Sequence, residues 1–171
     1  MNRLSFFVLP LLPLISRTVL PQTSNPAPVP PAIAAAKTIF ISNAGADSGL
    51  FPSPFSGDPS RGYTEIYTAL QHSGLYQIVS DPSQADLVLE LKLTAPYGPS
   101  SPNKAEGASD PRPMFSLTVY DRSTHYVLWT LTQSINVALL QKTHDRNFDE
   151  ALNALVSQFE LLSRKAPSAT P

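Results

Sequence analysis

Asp86-Leu87-Val88-Leu89-Glu90-Leu91-Lys92-Leu93 is the stretch whose reading settles the fold. Leu87, Leu89, Leu91 and Leu93 fall on every second position, with Val88, Glu90 and Lys92 between them. Successive side chains of a strand point to opposite sides, so residues 86–93 read as a strand with one apolar face and one mostly wet face. A sheet of such strands buries one side and needs a cover for it.

Toward the amino terminus, residues 75–80 read as a short strand that Asp81-Pro82 stops, and residues 62–73 as a helix. Tyr63, Ile66, Tyr67 and Leu70 recur there at helical spacing, and Gly74 follows where a left-handed cap is wanted. Residues 37–42 form an earlier strand, with Ile39 and Ile41 on one side and Phe40 on the other. Toward the carboxyl terminus, Phe115, Leu117 and Val119 alternate within 114–120. Val127, Trp129 and Leu131 answer them within 126–132, across the polar turn Asp121-Arg122-Ser123-Thr124-His125, which makes a hairpin. Ile135, Val137 and Leu139 keep the parity of Trp129, which would extend the second strand past a bend near Gln133. Residues 147–164 close the chain as a helix. Phe148, Leu152, Leu155, Val156, Phe159 and Leu162 form its apolar stripe, Asn147 and Glu150 a capping box, and Arg164-Lys165 the basic end.

The element order is therefore β-α-β-β-β-β-α, predicting an α+β two-layer sandwich with one mixed, mostly antiparallel sheet and both helices on one face. A right-handed crossover through the first helix sets strand 37–42 parallel to strand 86–93, and the later strands run as an antiparallel meander.

Prolines mark the borders. Of 18, seven fall between Pro10 and Pro31, three between Pro52 and Pro59 and five between Pro96 and Pro113. A residue without an amide hydrogen is kept out of helix interiors and central strands, so the proline-free blocks are the folded parts. Arg3 followed by the apolar run from Leu4 to Ile15 reads as an export leader, residues 1–20, with its cleavage site between 18 and 36. The run is about 12 residues long, short of the roughly 20 that span a bilayer. Residues 21–36, with Pro26, Pro28, Pro30 and Pro31, read as an extended tether, 37–165 as one domain, and 166–171 as a disordered tail. The product is placed in the periplasm or outside the cell, with membrane association only if the leader stays uncleaved. Without cysteine there is neither a disulfide nor a site for a lipid anchor. Once the leader is removed, ten basic residues face thirteen acidic ones, a net −3 without any basic cluster, so nucleic acid is excluded as a partner.

Catalytic chemistry finds little support. His72, His125 and His144 match no metal-ligand spacing, and read as a helix end, a turn and a loop; neither metal nor other cofactor is expected. No Gly-x-Ser-x-Gly elbow occurs, and Asn43-Ala44-Gly45-Ala46-Asp47-Ser48-Gly49 lacks the lysine of a phosphate loop. Asp86, Glu90, Asp121 and Glu150 could pair as carboxylates only if the fold brought them together, and Glu90, Asp121 and Glu150 already have structural work as strand face, turn and cap.

Ala85-Asp86-Leu87-Val88-Leu89, preceded by a helix and a short strand, and Val119-Tyr120-Asp121-Arg122-Ser123-Thr124 leading to Val127-Leu128-Trp129, resemble the TolB amino-terminal domain and related bacterial lipoprotein-type assembly factors. The resemblance covers residues 37–163 and is one of architecture. It implies a periplasmic binding or assembly module rather than an enzyme, and brings no catalytic residues with it.

Two long loops, 43–59 and 94–113, then stand out, with two readings open: interaction elements with Phe51, Phe55 and Tyr97 as aromatic anchors, or disordered segments, as the Ser, Pro and Gly content of 96–113 would allow. The expected function is a non-enzymatic envelope protein that contacts another envelope protein through these loops. Two alternatives stay open: a small secreted hydrolase assembled in space around His144, Asp145 and Asp121, and a purely structural periplasmic domain.

Overall fold

The computed structural model describes residues 27–97 and 111–165. The expected leader, residues 21–26 of the tether, the middle of the second loop and the tail lie outside the described residues. The elements run α1 (Pro31–Ala35), β1 (Thr38–Ala46), α2 (Arg61–Ser73), β2 (Gln77–Ile78), β3 (Leu87–Thr94), β4 (Met114–Asp121), β5 (Val127–Ser134) and α3 (Gln141–Lys165), with one 3-10 turn at Pro82–Gln84.

The five strands make one sheet in the order β2-β1-β3-β4-β5. β1 lies parallel to β2 and β3, and the longer antiparallel pairings join β3 to β4 and β4 to β5. This is the expected α+β sandwich, and β3 carries it. Leu87, Leu89, Leu91 and Leu93 are all buried, while Val88, Glu90 and Thr94 are half-buried and Lys92 is exposed. Ile39, Ile41, Phe115, Leu117 and Val119 extend the apolar face across the neighbouring strands. Over it lie Ile66 and Leu70 of α2 and Phe148, Leu152, Leu155 and Phe159 of α3. Helix α2 ends as expected at Gly74, whose φ of 62° is the left-handed conformation that glycine enters without cost. At its other end Gly62 lets the helix sit close to the sheet, since a Cβ there would stand 3.3 Å from Phe115 Cε1.

Four expectations need correction. The tether is not extended throughout: Pro30 and Pro31 start helix α1, and Ile33 is fully buried in the core. Proline suits a first helical turn, and one isoleucine is enough bulk to plug the layer. Helix α3 starts at Gln141, six residues before the supposed capping box. His144 N–H and Thr143 N–H donate to Leu140 O, Asn147 Nδ2 donates to Asn136 O, and Glu150 pairs with Arg146 at 3.7 Å. His144 is thus a buried helical residue, because it lies one turn before Phe148 on the same stripe. Lastly, β5 stops at Ser134, since its partner β4 begins at Met114, opposite Ser134. Ile135 is still buried, but residues 136–140 leave the sheet.

Candidate interaction surface

The three expected anchors separate. Phe55 is fully buried, with its ring centroid 5.2 Å from Phe148 and 6.0 Å from His144. Phe51 is half-buried against the same rings, 6.1 Å from Phe55 and 6.2 Å from Phe148. Both therefore work in the core, and Phe55 is corrected from contact residue to core residue. The stretch is held down at several points: Phe55 N–H donates to Leu50 O at 3.2 Å, Ser56 N–H to Asp145 Oδ1 at 2.9 Å, and Gln141 Nε2 to Pro52 O at 3.1 Å. The physical reason is the cost of the exposed alternative: burying a phenylalanine is worth about 1.5–3 kcal/mol, and Phe148 and His144 offer Phe55 a ready site. Only Tyr97 of the three is open to solvent, 79% exposed, where it bridges to Pro111.

Near Tyr97, at the end of the sheet where β3 and β5 finish, the stretch 136–140 exposes Val137, Leu139 and Leu140, with Leu139 fully exposed. The sequence reading missed this surface. The available signal was length, because the alternating run outlasts the strand it pairs with. Lys142, Arg146 and Arg112 are exposed in the neighbouring segments, while Glu150 pairs with Arg146 and shares a cleft with Asn136, so this pole is apolar with a border of mixed charge. Asp47 is occupied there in accepting Ala95 N–H at 2.9 Å.

The residues considered for hydrolysis do not meet. Asp121 accepts the Ser123 hydroxyl and N–H in the β4–β5 turn, bonds that hold its carboxyl below the usual range. Asp145 is bound by Arg61 and Ser56, and His144 Nδ1 is buried with no hydrogen-bond partner among the described residues. His72 Nδ1 faces Thr68 O at 2.8 Å at the end of α2, and His125 occupies the hairpin turn with a φ of 61°. Asp86 accepts the N–H groups of Lys37 and Thr38, which ties α1 and β1 to β3. Among the described residues, no three His, Cys, Asp or Glu side chains are placed to hold a metal, and no helix is long and apolar enough to cross a membrane. A groove of about 420 Å³ between α2 and the β1–β2 edge is lined by uncharged side chains, among them Phe40, Tyr63, Tyr67 and Ile78.

No family model matches this sequence, and no curated protein matches it. Solved structures do share the fold. A DUF4136 family protein from Bacteroides thetaiotaomicron is 17% identical, with a TM-score of 0.51, over 78% of this chain and 92% of that one. A DUF330 protein from Xanthomonas campestris is 16% identical, with a TM-score of 0.48, over 83% of this chain and 88% of that one. TolB from Acinetobacter baumannii is 13% identical, with a TM-score of 0.37, over 73% of this chain and 28% of that one. The likeness to the DUF4136 family protein speaks to fold alone.

Proposed function

We propose that this chain is an exported, non-enzymatic protein of the cell envelope that binds another envelope protein through the pole formed by Val137, Leu139, Leu140 and Tyr97. The observation that carries the reading is the exposure of Leu139 and Leu140 side by side at the start of α3, where none of the described residues covers them. Single exposed apolar residues are ordinary, but an adjacent group with a polar border has the anatomy of a contact site. The leader-like run from Leu4 to Ile15 and the lack of a converging set of reactive side chains among the described residues support the same reading.

The test is a photo-crosslinking amino acid placed at Leu139 in the full chain and activated in intact cells. A discrete adduct at Leu139, absent from the same probe at exposed Thr130 and lost with Leu140→Asp, is expected. No adduct at Leu139, or the same adducts at both positions, would sink the reading.

A further inference from the structure

One guanidinium serves three carboxylates where α2, α3 and the segment 47–60 meet. Arg61 Nε donates to Glu65 at 2.7 Å, Nη1 to Asp145 at 2.7 Å and Nη2 to Asp149 at 2.5 Å, and the group lies over the Phe148 ring at 4.3 Å. A single carboxylate often spans two neighbouring guanidinium nitrogens with both its oxygens. Here each nitrogen takes a different carboxylate, so three anions crowd one cation whose side chain is only 15% exposed. Two negative charges remain in excess, and like charges held that close favour sharing a proton.

We propose that this cluster is a proton-operated latch: one proton taken up between Glu65 and Asp149 bonds the two carboxyls to each other while both stay on Arg61, and tightens α2 and the segment 47–60 onto α3. Asp145 is not the receiver. Burial alone would raise its carboxyl, but Ser56 N–H and Arg61 hold it below the usual range. For Glu65 the balance runs the other way: burial pushes it up, the Asp149 charge adds to the push, and Arg61 opposes both. His72 is the other titratable group facing the cleft that Glu65 and Asp149 line; Thr64, Thr68, Ala69, Leu152 and Asn153 bring no charge. From the segment 47–60, Ser56 brings a carbonyl, an N–H and a hydroxyl.

The segment so tightened also meets Gln141, next to Leu140, through Pro52. Proton uptake would therefore stiffen the proposed binding pole. That consequence rests on the binding reading; the latch itself does not.

The full chain and its Glu65→Gln variant are melted at about pH 7.5 and about pH 5.5. A carboxyl raised in the folded state adds stability below its unfolded value and loses it as pH rises through the folded one. Glutamine donates to Asp149 and accepts from Arg61 at either pH. On acidification the midpoint of the wild type should thus gain about 2–4 °C relative to the variant. Matching pH profiles overturn the latch. Carbon-13 NMR of the Glu65 carboxyl decides the same point if the variant fails to fold: a step above the usual carboxylate range that Asp149→Asn lowers supports it, and an ordinary step, or one that Asp149→Asn leaves unchanged, overturns it. Neither measurement needs a partner, so failure here leaves the crosslinking result to judge the binding reading on its own.

Discussion

The segment around Phe51 and Phe55 and the stretch from Ile135 to Leu140 meet at one end of the molecule, joined by the bond from Gln141 to Pro52. Both are short, irregular and rich in apolar side chains, yet Phe55 is fully buried and Leu139 fully exposed. Phe55 reaches a site already walled by Phe148, and Leu139 lies past the last residue that β4 can pair. Burial is thus a property of the available partner and not of the side chain's own hydrophobicity, which is why the first segment closes the core and the second is exposed.

The sharpest way to break that contrast is at its buried side. Phe55→Ala should cost about 3–5 kcal/mol in urea unfolding, because it empties a fully enclosed site; a cost near zero would mean that the segment is not core. Next comes the junction that pins the segment. Arg61→Ala should cost about 2–3 kcal/mol near neutral pH by leaving partly buried carboxylates uncompensated. Asp145 is held below its ordinary range, so the stability it draws from Arg61 and Ser56 is complete at neutral pH and is lost as pH falls through that lowered value. The penalty of Arg61→Ala should accordingly shrink in strong acid.

A smaller effect is expected at Gly62. Alanine gains helix propensity there but sets a Cβ 3.3 Å from the Phe115 ring, and calorimetry of Gly62→Ala should show a net loss of about 1 kcal/mol. At the exposed side, Leu139→Ser combined with Leu140→Ser should change stability by no more than about 0.5 kcal/mol while removing apolar surface. A large loss in that variant would erase the contrast, since it would show that the pole is part of the folding core.

Much of the fold was legible because local pattern and tertiary demand agree. The alternation of Leu87 to Leu93, the hairpin around Asp121, the stop at Gly74 and the stripe from Phe148 to Leu162 each report a periodicity that only one element type satisfies. The candidate site was read less well. Tyr97 is exposed, but Phe51 and Phe55 were assigned outward because Pro52, Pro54 and Pro59 signal a loop, and a loop's composition does not say which of its side chains turn inward. Asn147 and Glu150 matched a capping box inside a helix because the motif is short, and the six residues before it are equally able to be helical.

By itself, the sequence determined which segments are strands and helices, in what order they come and which face of each is apolar. Those properties repeat along the chain and are written in residues two to four positions apart. Tertiary structure alone decided that Ile33 plugs the core, that His144 is buried beside Phe55, that Arg61 gathers Glu65, Asp145 and Asp149, and that Leu139 and Leu140 are left uncovered. Each of these depends on partners distant along the chain, as Phe55 is from His144 and Arg61 from Asp149, and a side chain's environment is set by what packs against it in space, which spacing along the chain does not encode.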